Sequence, residues 1–235
     1  NMLNKPEVNI VTIEDPIEYD MKYINQTQIN PATGVTFASS LRELVRQDPN
    51  IIMVGEISDE EPAEIAVQSA LTGHLVLSSL HTNDAPTTIP RLLDMKIVPF
   101  LAAAVLNMVE AQRLVRRICL SCISSYEPDE GIIDSIKKEL VELKIESRVK
   151  IPNRIYKGSG CNSCGGSGYR GRIGLYEILD INENVRQLIA NPKFTLDDLK
   201  KLAYEQGMIT MFEDGLRKAE RGMTTIEEVF RVIRE

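Results

Sequence analysis

The 235-residue chain is short of several things that large functional classes need. Aromatic residues make up only 5% of it, too few for the rows of ring faces on which single-stranded nucleic acid stacks. Positive charge is in deficit: the formal net charge is −7, so the broad basic footprint of a duplex-binding protein is missing. Both features argue against nucleic acid as a partner, and so against a zinc ribbon of the nucleic-acid-binding kind. Long apolar runs are absent as well. The longest, Ile97 to Val109, is too short to span a bilayer and contains Pro99, so it predicts a buried helix behind a proline. The first residues, Asn1 to Pro6, have neither an apolar core nor a small-residue cleavage site, which argues against a signal peptide. A cytoplasmic location is expected, with membrane contact only through partners. No internal repeat or low-complexity tract is visible.

What is present is the rhythm of an α/β protein. With 43% hydrophobic residues the chain can bury a sizeable core. Short β-rich runs alternate with helical patterns: Val8 to Ile13, Phe37 to Arg46, Ile51 to Val54, Ala63 to Leu71, Leu75 to Ser79 and Ala85 to Met95. Parallel strands need a crossover element to return, so this alternation predicts a largely parallel sheet over residues 1–116. Ile51 to Val54 is continuously apolar, as a central strand buried on both faces would be. It ends at Gly55-Glu56, and ligands of open α/β sheets bind beyond the carboxyl ends of strands. A helix is expected to start near Ser58 or Asp59, with Ser58 and Glu61 as a capping box and Pro62 in the first turn. Residues 117–171 form a second segment of cysteine pairs around an amphipathic helix, with Ile132, Ile133, Ile136, Leu140 and Leu143 at helical spacing. Residues 172–235 begin with a strand at Arg172 to Leu179. Three or four short helices follow, and Thr195 with Asp198 and Thr225 with Glu228 mark two helix starts.

Four cysteines fall in two tight pairs, Cys119/Cys122 and Cys161/Cys164. In a reducing cytosol such Cys-x-x-Cys knuckles are more often metal ligands than disulfides. Tetrahedral zinc takes four soft ligands, and a closed set of four leaves no open position, so the expected metal is structural zinc; the alternative is four reduced thiols. Gly166-Ser167-Gly168-Tyr169-Arg170-Gly171 matches the dinucleotide-binding glycine pattern, but a knuckle precedes it and a strand follows. It reads as turns beside the metal rather than as a nucleotide loop.

Acidic residues follow two of the apolar strands: Glu14, Asp15 and Glu18 after the first, Glu56 after Ile51 to Val54. Carboxylates at the ends of such strands can meet around one metal-bound phosphate, or they can be solvated strand ends or helix caps. The only two histidines, His74 and His81, bracket the next strand. Each alone is more often structural, but beside the acidic residues they point to a site.

The segment Val11 to Tyr19, reading VTIEDPIEY, resembles the aspartate box of the type II secretion and type IV pilus motor ATPases. Phe37 to Glu56, with LRELVRQDPN followed by IIMVGE, resembles their Walker B region. Thr72 to Asp84, TGHLVLSSLHTND, matches the histidine box. Ala111 to Arg117, AQRLVRR, leading into four cysteines, is similar to the assembly-type branch. The resemblance covers nearly the whole chain.

It implies a RecA-like P-loop ATPase core, here partial, with a four-cysteine zinc module and a small C-terminal helical domain. It implies Glu18 as the general base that positions the lytic water and Glu56 as a holder of magnesium through its water shell. Glu14 and Asp15 would organise the metal and the adjoining loop, and His74 and His81 would sense the γ-phosphate or a neighbouring subunit. A homo-hexamer is implied, using Mg2+ and ATP, driving pilin or pseudopilin assembly with an inner-membrane platform protein and cytoplasmic components. Two departures stand out. Ser58 occupies a position where the family usually has arginine. No Gly-x-x-x-x-Gly-Lys-Ser/Thr sequence occurs, so the backbone amides and lysine that hold phosphates are missing; in the family that loop lies upstream, and Asn1 to Asn4 resembles the tail of the helix after it. The chain alone is therefore expected neither to bind ATP tightly nor to hydrolyse it. A different reading is a zinc-stabilised interaction module that docks a cytoplasmic or membrane-platform partner.

Overall fold

The computed structural model describes residues 2–191 and 193–234. The first half runs β1 (Ile10–Glu14), β2 (Ile24–Gln28), α1 (Phe37–Val45), β3 (Ile51–Val54), α2 (Glu60–Leu71), β4 (Leu75–Ser78), α3 (Thr88–Asp94) and α4 (Pro99–Val105). The four strands form one sheet in the order β2-β1-β3-β4, and every neighbouring pair is parallel. Ile13 stands beside Val54, so β1 and β3 end at the same edge. The expected α/β class with a parallel sheet is the one found.

Alternation along the strands sends successive side chains to opposite faces. Val11, Ile13, Ile52 and Val54 are fully buried, on the side where α1 packs against β1 and β3 and α2 against β4. Each such aliphatic side chain contributes about 1.5–3 kcal/mol by leaving water. Ile10, Thr12, Glu14, Ile51, Met53 and Leu77 line a cleft of about 230 Å³.

Helix starts follow local chemistry. Thr36 and Ser39 form a reciprocal capping box at α1, each side chain accepting the other's backbone N–H. The box expected from Ser58 and Glu61 does not form. Asp59 is the residue that begins α2, Ser58 donates its hydroxyl to Asp59 Oδ2 at 2.8 Å, and Glu61 is drawn instead into an ion pair with Arg42 of α1. The helix expected over Ile97 to Val109 also stops early. Leu106 adopts an extended conformation (ψ 132°), and Asn107 is held by the Ile181 N–H and by Arg186. Met2, Leu3 and Asn4 are not helical: Leu3 and Asn4 line the cleft, and Asn4 Nδ2 donates to the Lys22 carbonyl. The expected helix tail is therefore not formed at these three residues; Asn1 lies outside the described residues.

The second half runs β5 (Met108–Ile118), β6 (Ile123–Tyr126), α5 (Glu130–Glu142), β7 (Ile155–Gly158), β8 (Tyr169–Asp180), α6 (Glu183–Ala190), α7 (Leu196–Glu205), α8 (Met211–Glu220) and α9 (Ile226–Ile233). β5 pairs with β8, and β6 pairs antiparallel with β7. Thr225 caps α9 by accepting the Glu228 N–H, and Thr195 accepts the Asp198 N–H at the start of α7, as the sequence pattern predicts.

The chain forms two compact units. One comprises residues up to Val109 together with Ile181–Lys200, and the other Glu110–Asp180 with residues from Lys201 onward. The segments expected from sequence follow chain order, whereas these units interleave: residues 181–200, with α6 and the first half of α7, pack with the sheet unit. The reason is local, since α6 lies against α4 and Arg186 donates to the Ala103 and Ala104 carbonyls at the end of that helix. The second unit has its own core of Val115, Ile136, Leu140, Ile155, Leu175, Phe212, Leu216 and Val229.

Candidate functional site

The acidic residues gather where two adjacent parallel strands stop. Glu14 is the last residue of β1, and its Oε1 accepts from Thr12 Oγ1 at 2.5 Å and from Gln26 Nε2 at 2.9 Å. Gln26 also donates to the Tyr19 carbonyl and accepts the Met21 N–H, while Gln28 accepts the Ile17 N–H. Two glutamines of β2 thus hold the loop that follows β1, which begins with a cis Asp15–Pro16 peptide. In that loop Asp15 and Glu18 are exposed, and Glu18 lines the cleft with Thr12, Glu14 and Met53. On the neighbouring strand the Gly55 N–H donates to the Ile13 carbonyl at 2.8 Å. A Cβ at Gly55 would sit 3.1 Å from that carbonyl, a tight contact that a larger residue would relieve only by a small shift of the strand end. Glu56 comes next.

The histidines lie at opposite ends of β4. His81, past the carboxyl end, places Nε2 at 3.3 Å from Glu56 Oε2. The ring is 83% exposed, and the carboxylate 43%. His74 precedes the strand, which at about 3.3 Å per residue separates the two ends by roughly 13 Å. Its Nδ1 meets the Ser69 carbonyl at 2.9 Å and Thr72 Oγ1 at 3.1 Å. There it satisfies the end of α2. The structure brings Glu56 and His81 together and leaves His74 at the amino end of the sheet.

The four cysteines converge in the second unit. Cys119 follows β5, Cys122 precedes β6, Cys161 precedes a short 3-10 turn and Cys164 is that turn's last residue. All four Sγ atoms lie within 4.8 Å of one another. The separations are 3.9 Å for Cys119–Cys161 and Cys122–Cys164, and 3.7 Å for Cys161–Cys164. Disulfide sulfurs are about 2.05 Å apart, whereas a tetrahedron with Zn–S bonds of about 2.3 Å has edges of about 3.8 Å. The four thiols fit such an ion. Cys161 and Gly168 backbone N–H groups donate to Cys164 Sγ at 3.2 and 3.3 Å and, against burial, hold that thiol down to about 6. Burial pushes Cys122 up to about 12, in spite of a hydrogen bond from the Gly160 backbone. The close crossing depends on glycine, since a Cβ on Gly158 would lie 2.1 Å from the Gly168 carbonyl oxygen. The glycine run is turn and crossing, not a nucleotide loop: Gly166, Gly168 and Gly171 all have positive φ, and β8 already begins at Tyr169, within the run.

A family profile described as "Type II/IV secretion system protein" matches residues 1–231. The chain belongs to this family. Among family relatives, the type IV pilus assembly ATPase PilB of Thermus thermophilus is 48% identical over 95% of the chain, which spans 24% of that protein. The type II secretion system ATPase E of Vibrio cholerae is 46% identical over 99% of the chain, which spans 44% of it. The chain thus spans less than half the length of these relatives. The solved pilus retraction motor PilT with bound ADP superposes with a TM-score of 0.66 at 28% identity, over 96% of this chain and 52% of that one. The Legionella pneumophila ATPase DotB shares the fold, with a TM-score of 0.64. Among the described residues no helix is long and apolar enough to cross a membrane.

Within this family chain, the side chains that sequence reasoning passed over are Thr12, Gln26 and Gln28. Their signal is weak. β2 reads Ile-Asn-Gln-Thr-Gln, with one apolar residue, because it is an edge strand stabilised chiefly by backbone pairing to β1.

Proposed function

We propose that this chain is the C-terminal part of a hexameric ATP-hydrolysing motor that powers type II secretion pseudopilus or type IV pilus assembly. The observation that carries the reading is a pair of adjacent parallel strands, β1 and β3, each running out into carboxylates at one edge of the sheet. Glu18 is the general base that orients the lytic water. It is exposed, borders the cleft, and sits in a loop fixed by Gln26 and Gln28. Glu56 holds magnesium through water, with Glu14 and Asp15 organising the metal and the loop; hard carboxylate oxygens suit that ion. Magnesium bound with ATP supplies charge neutralisation at the phosphates. His81, in contact with Glu56, senses the state of the site. His74, at the far end of β4, is suited to report on a neighbouring subunit. The four cysteines bind one structural zinc ion.

The motor acts in the cytoplasm at the inner membrane, through a platform protein and cytoplasmic components of the machine. A chain with no Gly-x-x-x-x-Gly-Lys-Ser/Thr loop has no amide nest for the β- and γ-phosphates. The residues named here work when that loop is supplied by the complete protein. Titration calorimetry tests this directly. The complete protein is expected to bind ATP stoichiometrically and the present chain to give no measurable heat of binding; stoichiometric binding by the present chain would overturn it.

A further inference from the structure

His81 depends on its loop for its place. Among the described residues its ring has one polar partner, Glu56, and most of its surface is in water. The loop from Ser79 to Asp84 is tied down at both ends. At the first, Ser79 Oγ donates to the Gly55 carbonyl at 2.6 Å and the Ile57 N–H donates to the Ser79 carbonyl at 3.0 Å. At the second, Asp84 Oδ1 accepts the Thr87 N–H at 2.8 Å, and Thr82 and Thr88 hydroxyls meet at 3.2 Å. The remaining oxygen of Asp84, Oδ2, accepts from Lys200 Nζ at 2.7 Å. Lys200 is 116 residues away in sequence and lies on α7, within the same compact unit.

A fully exposed pair of this kind would contribute little. This one has side chains only 31% and 28% exposed, and the carboxylate is already fixed by the Thr87 amide. Withdrawing the lysine leaves a half-buried carboxylate with one oxygen unpaired, which costs more than the pair itself contributes. The loop end is then free to turn toward water, and His81 is three residues from it.

We propose that Lys200, through Asp84, is a positioning residue for the hydrolysis site: it holds the Ser79–Asp84 loop so that His81 stays against Glu56. The proposal rests on the motor reading above and adds to it a contact from the C-terminal helices that no motif of the aspartate, Walker B or histidine segments contains.

The test uses the complete protein with Lys200→Met, Lys200→Arg and Asp84→Asn, reading steady-state ATP hydrolysis and hydrogen exchange of the peptide covering residues 79–87. Lys200→Met is expected to lower kcat about tenfold with KM for ATP changed less than twofold, and to raise exchange in that peptide while β1 and β3 stay protected. Lys200→Arg restores both readouts, and combining Lys200→Met with Asp84→Asn is no worse than either alone, as for two residues acting through one contact. Wild-type kcat and unchanged exchange in Lys200→Met, failure of Lys200→Arg to restore kcat, or effects of the two substitutions that multiply would each overturn the proposal while leaving the motor reading in place. A complete wild-type protein that hydrolyses no ATP would overturn the motor reading and this proposal with it.

Discussion

At the scale of single residues, a buried carboxylate on α9 shows how the second unit uses charge. Glu228 on α9 is 2% exposed. Burial pushes its carboxyl up, but hydrogen bonds from Arg231 and Arg116 more than offset this and hold it at about 2. Arg116 supplies its backbone N–H at 2.9 Å and its guanidinium at 2.7 Å, Arg231 supplies two more contacts, and the Arg116 guanidinium stacks over Tyr169 at 4.1 Å. A carboxylate with a depressed folded value contributes stability that is fully present above its unfolded value, near 4.5, and is lost as pH falls through about 2. Glu228→Gln is expected to cost on the order of 3 kcal/mol at neutral pH. The difference from wild type should shrink toward zero as pH falls from about 4.5 to 2. Urea unfolding followed across that range measures it, and a constant difference at all pH values would show that the effect is packing rather than charge.

Secondary-structure elements are legible in the sequence where side chains alone determine them. β3 is expected at Ile51–Val54 and is found there: its apolar run buries Ile52 and Val54 fully on one face, while Ile51 and Met53 line the cleft on the other. β2 is not foreseen, since its stability comes from backbone bonds that polar side chains do not advertise. The capping box at Ser58 fails because a partner on another helix, Arg42, competes for Glu61, and a local pattern carries no information about that. The knuckles read correctly as a convergent cluster since ligand spacing fixes each pair locally, whereas the crossing that joins the pairs, Gly158 against Gly168, is tertiary. If the knuckles hold zinc, metal analysis of protein prepared without chelator gives one zinc per chain. Cys161→Ser should lower that content and lower the melting temperature together; fewer than one zinc per chain in the unaltered protein would leave four reduced thiols as the better account.

At the scale of the whole molecule, the sequence names candidate residues one by one but does not show how they are arranged. Glu14 ends β1, Glu56 follows the end of β3 and His81 follows β4, so these three lie at the carboxyl side of the sheet, while Glu18 sits in the loop after β1 and lines the cleft. His74 lies at the amino side, because it precedes β4 in a parallel sheet. Nor can the motifs show that residues 181–200 pack with the sheet unit, which depends on Arg186 reaching the end of α4 and Lys200 reaching Asp84. The account stands on Glu18 acting as the base, a role that contributes about a hundred- to ten-thousand-fold to rate. Glu18→Gln in the complete protein, followed by ATP binding and steady-state turnover, tests this most directly: nucleotide affinity should stay within a few-fold of wild type while kcat falls by at least about a hundredfold, and turnover near the wild-type value would contradict it.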